Sequence, residues 1–324
     1  MFFVLTGFLI SFNLLKLLNT NQISTSALQN FWVKRLVRTY PLYLFMLLSL
    51  GFFYFQSANT FPVSYINYFV YIQNFSSPHP NFYPELWSLA VQEWFYFLFP
   101  IVLYIIGLLN IKNKKLLAFC FIFFCILFIT IFRISKINSF NFADTLYWDL
   151  NLRKQVVTRL DSLLYGFMMA YILLYHADFF KKYANSFLVL GCFILVADKN
   201  LLMDNWFYTN YLALSVAPIG SALLLPFFYS FKFNWQTINK AIFQLSSISY
   251  AMYLVHLTPI MLVMLPDLTK FLVKIFPYFK EHTHIFSYVM YWLLTLLFAT
   301  ILHHFIAKPI SQFLLRKYYS RKAG

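Results

Sequence analysis

Long apolar runs, separated by short connectors that carry most of the charge, make up nearly the whole chain. A helix that crosses a bilayer needs roughly 20 mainly apolar residues at about 1.5 Å rise each. On that criterion the pattern predicts nine helices, at 1–18, 39–57, 86–109, 115–133, 157–175, 186–200, 210–230, 240–265 and 284–306. No internal repeat, low-complexity block or soluble domain interrupts them. The longest connector, about 57–85, holds no Lys or Arg and is rich in Tyr, Phe, Asn, Ser and Pro. It reads as an amphipathic connector that lies in the interface or caps a cavity. The expected fold class is all-α, a polytopic transmembrane helix bundle.

Composition supports the same solvent. The 324 residues would suffice for two soluble domains, but 61% are hydrophobic and only 11% charged, against about a quarter charged in a soluble domain. Mean hydropathy is +0.67, and 42 Phe with 24 Tyr add bulk suited to lipid contact and interfacial belts. The net charge of +15 lies between apolar runs and forms no stripe or arm, so nucleic acid is not an expected partner. Cys120, Cys125 and Cys192 lack metal-ligand spacing and are expected to be buried small hydrophobes. No basic segment precedes the first apolar run, so no cleavable signal peptide is expected.

Charge placement predicts orientation. One set of connectors and the tail carry sixteen cations: Lys16, Lys34, Arg35, Arg38, Lys112, Lys114, Lys115, Lys181, Lys182, Lys232, Lys240, Lys308, Arg316, Lys317, Arg321 and Lys322. Asp178 is their single acid. The alternate set carries Arg133, Lys136, Arg153, Lys154, Lys199, Lys270, Lys274 and Lys280, nearly balanced by Glu85, Asp144, Asp149, Asp198, Asp204, Asp267 and Glu281. The positive-inside rule puts the first set, and the C-terminus, in the cytoplasm. The expected localisation is therefore multi-pass in the cytoplasmic or inner membrane.

Three charged residues fit no connector: Glu93, Arg159 and Asp161. Glu93 lies about 10 Å into its helix, and an ionised group near mid-bilayer costs at least about 2.5–3.5 kcal/mol unless it meets a partner or a wet cavity. A structural ion-pair network and a reaction or transport site both fit. Around Glu93, Trp87 suits the outer interface, Ser88 suits a bond across helices, and Tyr96 shares the Glu93 face, three residues on. Glu93 is in a position to pair with Arg159, whereas Arg159 and Asp161, two apart, need separate partners. Arg35 and Arg38 share a face and serve either as cytoplasmic anchors or as a phosphate clamp. His256 lies deep in the eighth span, as a neutral histidine bonded across helices or as a site residue. His303 and His304 fall near a cytoplasmic helix end, and His79, His282 and His284 follow no spacing rule. No metal site is expected.

Five motifs taken in order resemble the acyltransferase-3 family of membrane O-acyltransferases, over nearly the whole chain. They are Phe2-Phe3-Val4-Leu5-Thr6-Gly7-Phe8-Leu9, Arg35-x-x-Arg38-x-Tyr40-Pro41-x-Tyr43, Trp87-Ser88-Leu89 with Glu93 and Phe95-Tyr96, Arg159-x-Asp161 with Gly166, and Ser249-Tyr250-x-x-Tyr253-Leu254-x-His256. The resemblance implies transfer of an acyl group, acetyl above all, from an acyl-CoA donor to a hydroxyl of a cell-surface polysaccharide, lipopolysaccharide or lipid-linked saccharide. It implies no cofactor beyond that donor substrate, and surrounding membrane lipid as a partner. Arg35 and Arg38 would bind the donor, Glu93, Arg159 and Asp161 would be catalytic, and Trp87, Ser88, Tyr96, Tyr250 and His256 would line the site. Hydroxyl acylation needs a base for the acceptor and donors for the developing oxyanion.

The chain departs from the family pattern in three places. Gln92 stands where the family has the first of two carboxylates, and Ala307-Lys308-Pro309 where it has Glu-x-Pro. The family's first span, with an Arg and a His base, has no counterpart among the nine segments, where the family has ten. Residues 1–324 are therefore expected to be a single acyltransferase-3-like domain that is N-terminally truncated. The competing readings are an inactive membrane remnant and a glycolipid or acyl transporter. A transporter would be expected to show repeats.

Overall fold

The structure, a computed structural model, describes residues 1–20, 22–139, 145–202, 205–231, 235–276, 281 and 283–323. Asp144, Asp204, Lys232, Lys280 and His282 of the sequence reading lie outside the described residues. Among the described residues there is no strand. The helices are α1 (Phe2–Asn19), α2 (Thr25–Ala58), α3 (Tyr65–Phe69), α4 (Leu86–Leu108), α5 (Lys114–Ser139), α6 (Thr145–Trp148), α7 (Val156–Arg159), α8 (Asp161–Tyr175), α9 (Ala177–Lys182) and α10 (Ala184–Ala197). They continue as α11 (Ala213–Ser230), α12 (Gln236–Val255), α13 (Leu265–Ile275), α14 (Thr283–Leu302) and α15 (Lys308–Ala323). Wider π turns at Asp149–Arg153, Asp198–Leu202, Tyr208–Leu212, His256–Met264 and His303–Ala307 join several of them.

Among the described residues, eight helices are long and apolar enough to cross a membrane: Phe2–Asn19, Thr25–Ala58, Leu86–Leu108, Lys114–Asn138, Val156–Tyr175, Tyr208–Ser230, Gln236–Ile275 and Thr283–Lys322. The all-α polytopic bundle is thus observed, with eight such helices in place of nine. The ninth expected segment, 186–200, falls in α10, whose 14 regular residues end where Asp198 and Lys199 begin a π turn. The second span starts earlier than expected, because α2 runs unbroken for 34 residues from Thr25. Lys34, Arg35 and Arg38 are therefore helical residues and not part of a connector.

The cysteines correct a second expectation, since Cys120 and Cys192 are exposed and Cys125 half-buried. On α5 the buried stripe is Ala118, Ile122, Ile126, Arg133 and Ile137, while Phe124, Phe128 and Ile131 point outward. An apolar helix face in a membrane protein packs against lipid as readily as against protein, so apolarity alone does not predict burial.

The chain divides into two compact units, residues 1–29, 71–79 and 87–232, and residues 30–70, 80–86 and 233–324. In the first unit α1 buries Val4, Gly7, Phe8, Ser11, Leu14, Leu15 and Leu18 at helical spacing. A Cβ on Gly7 would stand 1.9 Å from the Leu163 carbonyl oxygen, and one on Gly166 2.1 Å from that of Val4. Only glycine lets α1 and α8 approach this closely, as small residues do at membrane helix contacts.

In the second unit Pro41 lies inside α2. Proline has no N–H, so the carbonyl four residues earlier, at Val37, loses its helical donor. The Ser311 hydroxyl of α15 supplies one at 2.8 Å. Nearby, Tyr250 of α12 donates to the Thr39 carbonyl at 3.1 Å, and Tyr43 to the Tyr68 carbonyl at 2.6 Å.

Candidate active site: buried charges and two arginines on aromatic rings

In the first unit α4 is buried nearly all round at its start. Ser88, Gln92, Glu93 and Tyr96 are each less than a tenth exposed. Such a helix faces protein and not lipid, so the Glu93 carboxylate sits inside the bundle. The Tyr96 hydroxyl donates to Gln92 Oε1 at 3.4 Å, one turn back.

Asp161 opens α8 and is fully buried. Its partner is Arg133, with Nη1 2.9 Å from the carboxylate. The same guanidinium donates to the hydroxyls of Ser215 at 2.6 Å and Thr130 at 3.1 Å, and to the Thr158 carbonyl at 3.4 Å. Arg133 is 2% exposed and lies within the span Lys114–Asn138. Its expected place in a connector is therefore corrected. The residue stands at the end of an apolar run, and only the long-range partner Asp161 shows that it turns inward. A buried guanidinium–carboxylate pair with its remaining donors satisfied offsets much of the desolvation cost of both groups.

Arg159 is handled differently. Its Nη1 donates to the Leu214 carbonyl at 3.1 Å, and its guanidinium lies 5.9 Å from the Phe3 ring centroid. Its Nε is buried and donates to nothing among the described residues, where Arg159 also forms no ion pair. Glu93 and Arg159 share a unit without forming an ion pair. Next to Arg159, Arg153 lies over Trp87 at 5.2 Å, and the Phe3 and Trp87 rings meet edge to face at 5.6 Å. Asp149 holds both Arg153 and Lys154, the latter at 2.6 Å. Burial tends to raise the Asp149 carboxyl, but the two cations outweigh it and hold the group below the usual carboxylate range.

Asn74 sets this geometry. It is fully buried, and its Nδ2 donates to the carbonyls of Trp87 at 3.1 Å and Lys154 at 2.6 Å. Its own carbonyl takes the Val156 N–H at 3.0 Å, and that of Phe75 takes Val157 at 3.2 Å. Segment 71–79, read from sequence as part of a connector, thus ties the start of α4 to the lead-in of α7.

The second unit holds the other expected residues. Arg35 is half-buried and Arg38 exposed on α2, in the turn before Pro41 whose Val37 and Thr39 carbonyls take the Ser311 and Tyr250 hydroxyls. Glu85, expected among outer-connector acids, is 5% exposed. Its carboxylate accepts the Thr258 N–H at 2.9 Å and hydroxyl at 2.6 Å. Burial holds its carboxyl above the ordinary range, against the Thr258 hydrogen bonds and the nearby His256, which favour the ionised form. The helical acceptor that Thr258 leaves, the Leu254 carbonyl, takes the Tyr83 hydroxyl instead. His256 Nδ1 lies 2.7 Å from the Tyr253 carbonyl.

The model of a family described as an acyltransferase domain matches residues 1–311. The chain belongs to the acyltransferase-3 family. It is 26% identical over 337 residues to a candidate O-acetyltransferase of Staphylococcus aureus strain COL, and 27% identical over 340 residues to the O-acetyltransferase OatA of S. aureus strain NCTC 8325. Both alignments take in 95% of this chain and 51% of the relative, so the chain spans about half the length of these relatives. An uncharacterized Haemophilus influenzae protein is 24% identical over 244 residues, 69% of this chain and 95% of its own. No solved structure matches.

Within this acyltransferase-3 chain, sequence reasoning missed Arg133, Glu85 and Asn74. The signal for Arg133 was an unassigned counter-ion, since a buried Asp161 requires a cation from another helix. Pro259, inside an apolar span, signalled that polar side chains must serve the freed backbone nearby. Asn74 carries no signal that separates it from its polar neighbours.

Proposed function

We propose that this protein is a membrane O-acyltransferase that moves an acyl group, acetyl above all, from acyl-CoA to a hydroxyl of a cell-surface glycan or glycolipid. The observation that carries the reading is the Arg35–Arg38 face of α2, on a turn before Pro41 whose carbonyls take the Ser311 and Tyr250 hydroxyls. A pair of guanidinium groups one helical turn apart suits the phosphates of CoA. The names of the Staphylococcus relatives, O-acetyltransferases both, support the reaction type. The cation-rich connectors and C-terminus face the cytoplasm of the inner membrane, so the donor arrives from that side.

In this reading the Glu93 carboxylate draws the proton from the acceptor hydroxyl as the oxygen attacks the thioester carbonyl. Arg159 stabilises the oxyanion, and the thiolate of CoA departs. Asp161, neutralised by Arg133, is a positioning residue that fixes the start of α8. Trp87, Ser88 and Tyr96 line the site within the first unit.

Acetyl transfer from labelled acetyl-CoA by the full-length protein in native membranes tests this directly. Glu93→Gln is expected to lower kcat at least a hundredfold at unchanged membrane abundance. Arg35→Ala is expected to raise the donor KM about tenfold or more. Wild-type kcat in the first variant, or an unchanged donor KM in the second, removes the corresponding role.

A further inference from the structure

We infer that Lys308, together with His303 and His304, completes the donor site begun by Arg35 and Arg38 and selects a donor with a phosphate monoester, the 3′-phosphate of CoA. The inference rests on the acyltransferase reading for the donor, and on the geometry of the second unit for the added cation. In the π turn His303–Ala307 the Lys308 N–H bonds to the His303 carbonyl, five residues back. That spacing brings His303 and Lys308 onto one face, and Ser311, three residues on, continues it. The Ser311 hydroxyl meets the Val37 carbonyl at 2.8 Å, so this face lies against α2 beside Arg38. Arg38, His304 and Lys308 accordingly stand close enough to His303 for their charges to act on it. The His303 and His304 rings are 5.2 Å apart between centroids.

No acid in either helix balances these cations. Neither α2 nor the stretch 283–324 contains an Asp or Glu, and among the described residues Arg38 and Lys308 form no ion pair. Arg38, His304 and Lys308 are exposed and His303 is half-buried. Farther along α15, the Tyr318 hydroxyl and the Lys322 ammonium both reach Asn30 Oδ1 of α2, at 2.8 Å and 3.0 Å. The two helices are thus tied at Val37 and again at Asn30. Forked guanidinium groups one turn apart, at Arg35 and Arg38, suit the diphosphate of CoA. The 3′-phosphate, a monoester with the higher charge, then falls to the compact ammonium of Lys308. The neighbouring imidazoles offer it an N–H in either protonation state.

The test is equilibrium binding of CoA and of dephospho-CoA, which lacks the 3′-phosphate, to the full-length protein in phosphatidylcholine nanodiscs. CoA is expected to bind about tenfold more tightly, the size of one charge-assisted contact. Lys308→Gln should remove most of that difference and Lys308→Arg should keep it, while Arg35→Ala should weaken both ligands alike. No difference in the wild type, an undiminished one in Lys308→Gln, or equal losses in Lys308→Gln and Lys308→Arg overturns the site. Loss of the difference when phosphatidylglycerol replaces part of the phosphatidylcholine reassigns the cations to lipid headgroups and also overturns it. A preference for CoA without acetyl transfer from acetyl-CoA sinks the acyltransferase reading and spares the phosphate site. Transfer from acetyl-CoA and acetyl-dephospho-CoA at equal KM does the reverse.

Discussion

The two units bury polar chemistry for different purposes. In the first, charge meets charge, as Arg133 and Asp161 neutralise each other in a shell of hydroxyls and one carbonyl. In the second, side chains serve the backbone. Ser311 takes the carbonyl that Pro41 frees, Tyr83 takes that of Leu254, and Glu85 takes the N–H of Thr258. Desolvation governs both, but the first arrangement holds a pre-charged centre and the second satisfies backbone groups that leave the helical ladder.

Breaking the charge pair should have the largest effect. Asp161→Ala leaves Arg133 buried without its counter-ion, at a cost of about 3–5 kcal/mol. The expected outcome is a steep fall in membrane accumulation and in thermal stability in detergent. The double variant Arg133→Met/Asp161→Leu should recover most of that stability without activity, because the desolvated charges are gone together. A double variant as unstable as Asp161→Ala would show that the shell, and not the ion pair, is what α8 depends on.

The backbone-serving side should be more forgiving. Thr258→Val removes one hydroxyl from the Glu85 carboxylate and is expected to cost about 1–3 kcal/mol. Glu85 adds a pH signature. With its folded value raised, the carboxyl's contribution is fully present below the ordinary glutamate value and is lost as pH rises through the raised one. Thermal unfolding followed from about pH 4 upward should show that decline in the wild type and not in Glu85→Gln. Identical profiles would mean that the Thr258 hydrogen bonds prevail over burial.

This contrast also explains how much was legible in the sequence. Local patterns carried well, so the segments expected at 86–109 and 157–175 are observed at Leu86–Leu108 and Val156–Tyr175. Arg35 and Arg38 were visible as a pair because helical spacing is a local property. What failed was long-range. The partner of Glu85 is 173 residues away, and Asn74 reaches Lys154 across 80. No periodicity encodes such pairs, and an acid beside an interfacial Trp reads as a solvated connector residue until its partner is known. Orientation toward lipid or protein was equally invisible, which is why Cys120 and Cys192 were expected inside.

The smallest effect should come from Asp149, the charge-paired group at the edge of the first unit. Its side chain is 20% exposed and that of Arg153 is 40%, so water screens the pair and Asp149→Asn should cost less than about 1 kcal/mol. The sign of its pH dependence opposes that of Glu85. A lowered carboxyl contributes stability above the ordinary aspartate value, and that contribution disappears as pH falls through the lowered one. Melting temperatures of wild type and Asp149→Asn should therefore converge in acid, and at neutral pH in concentrated salt, where exposed pairs are screened. The Arg133–Asp161 pair, buried away from ions, should show no such salt dependence. If salt closes the Asp161→Ala gap as readily as the Asp149→Asn gap, the first unit is wetter than its buried side chains indicate, and its charges are held by water as much as by one another.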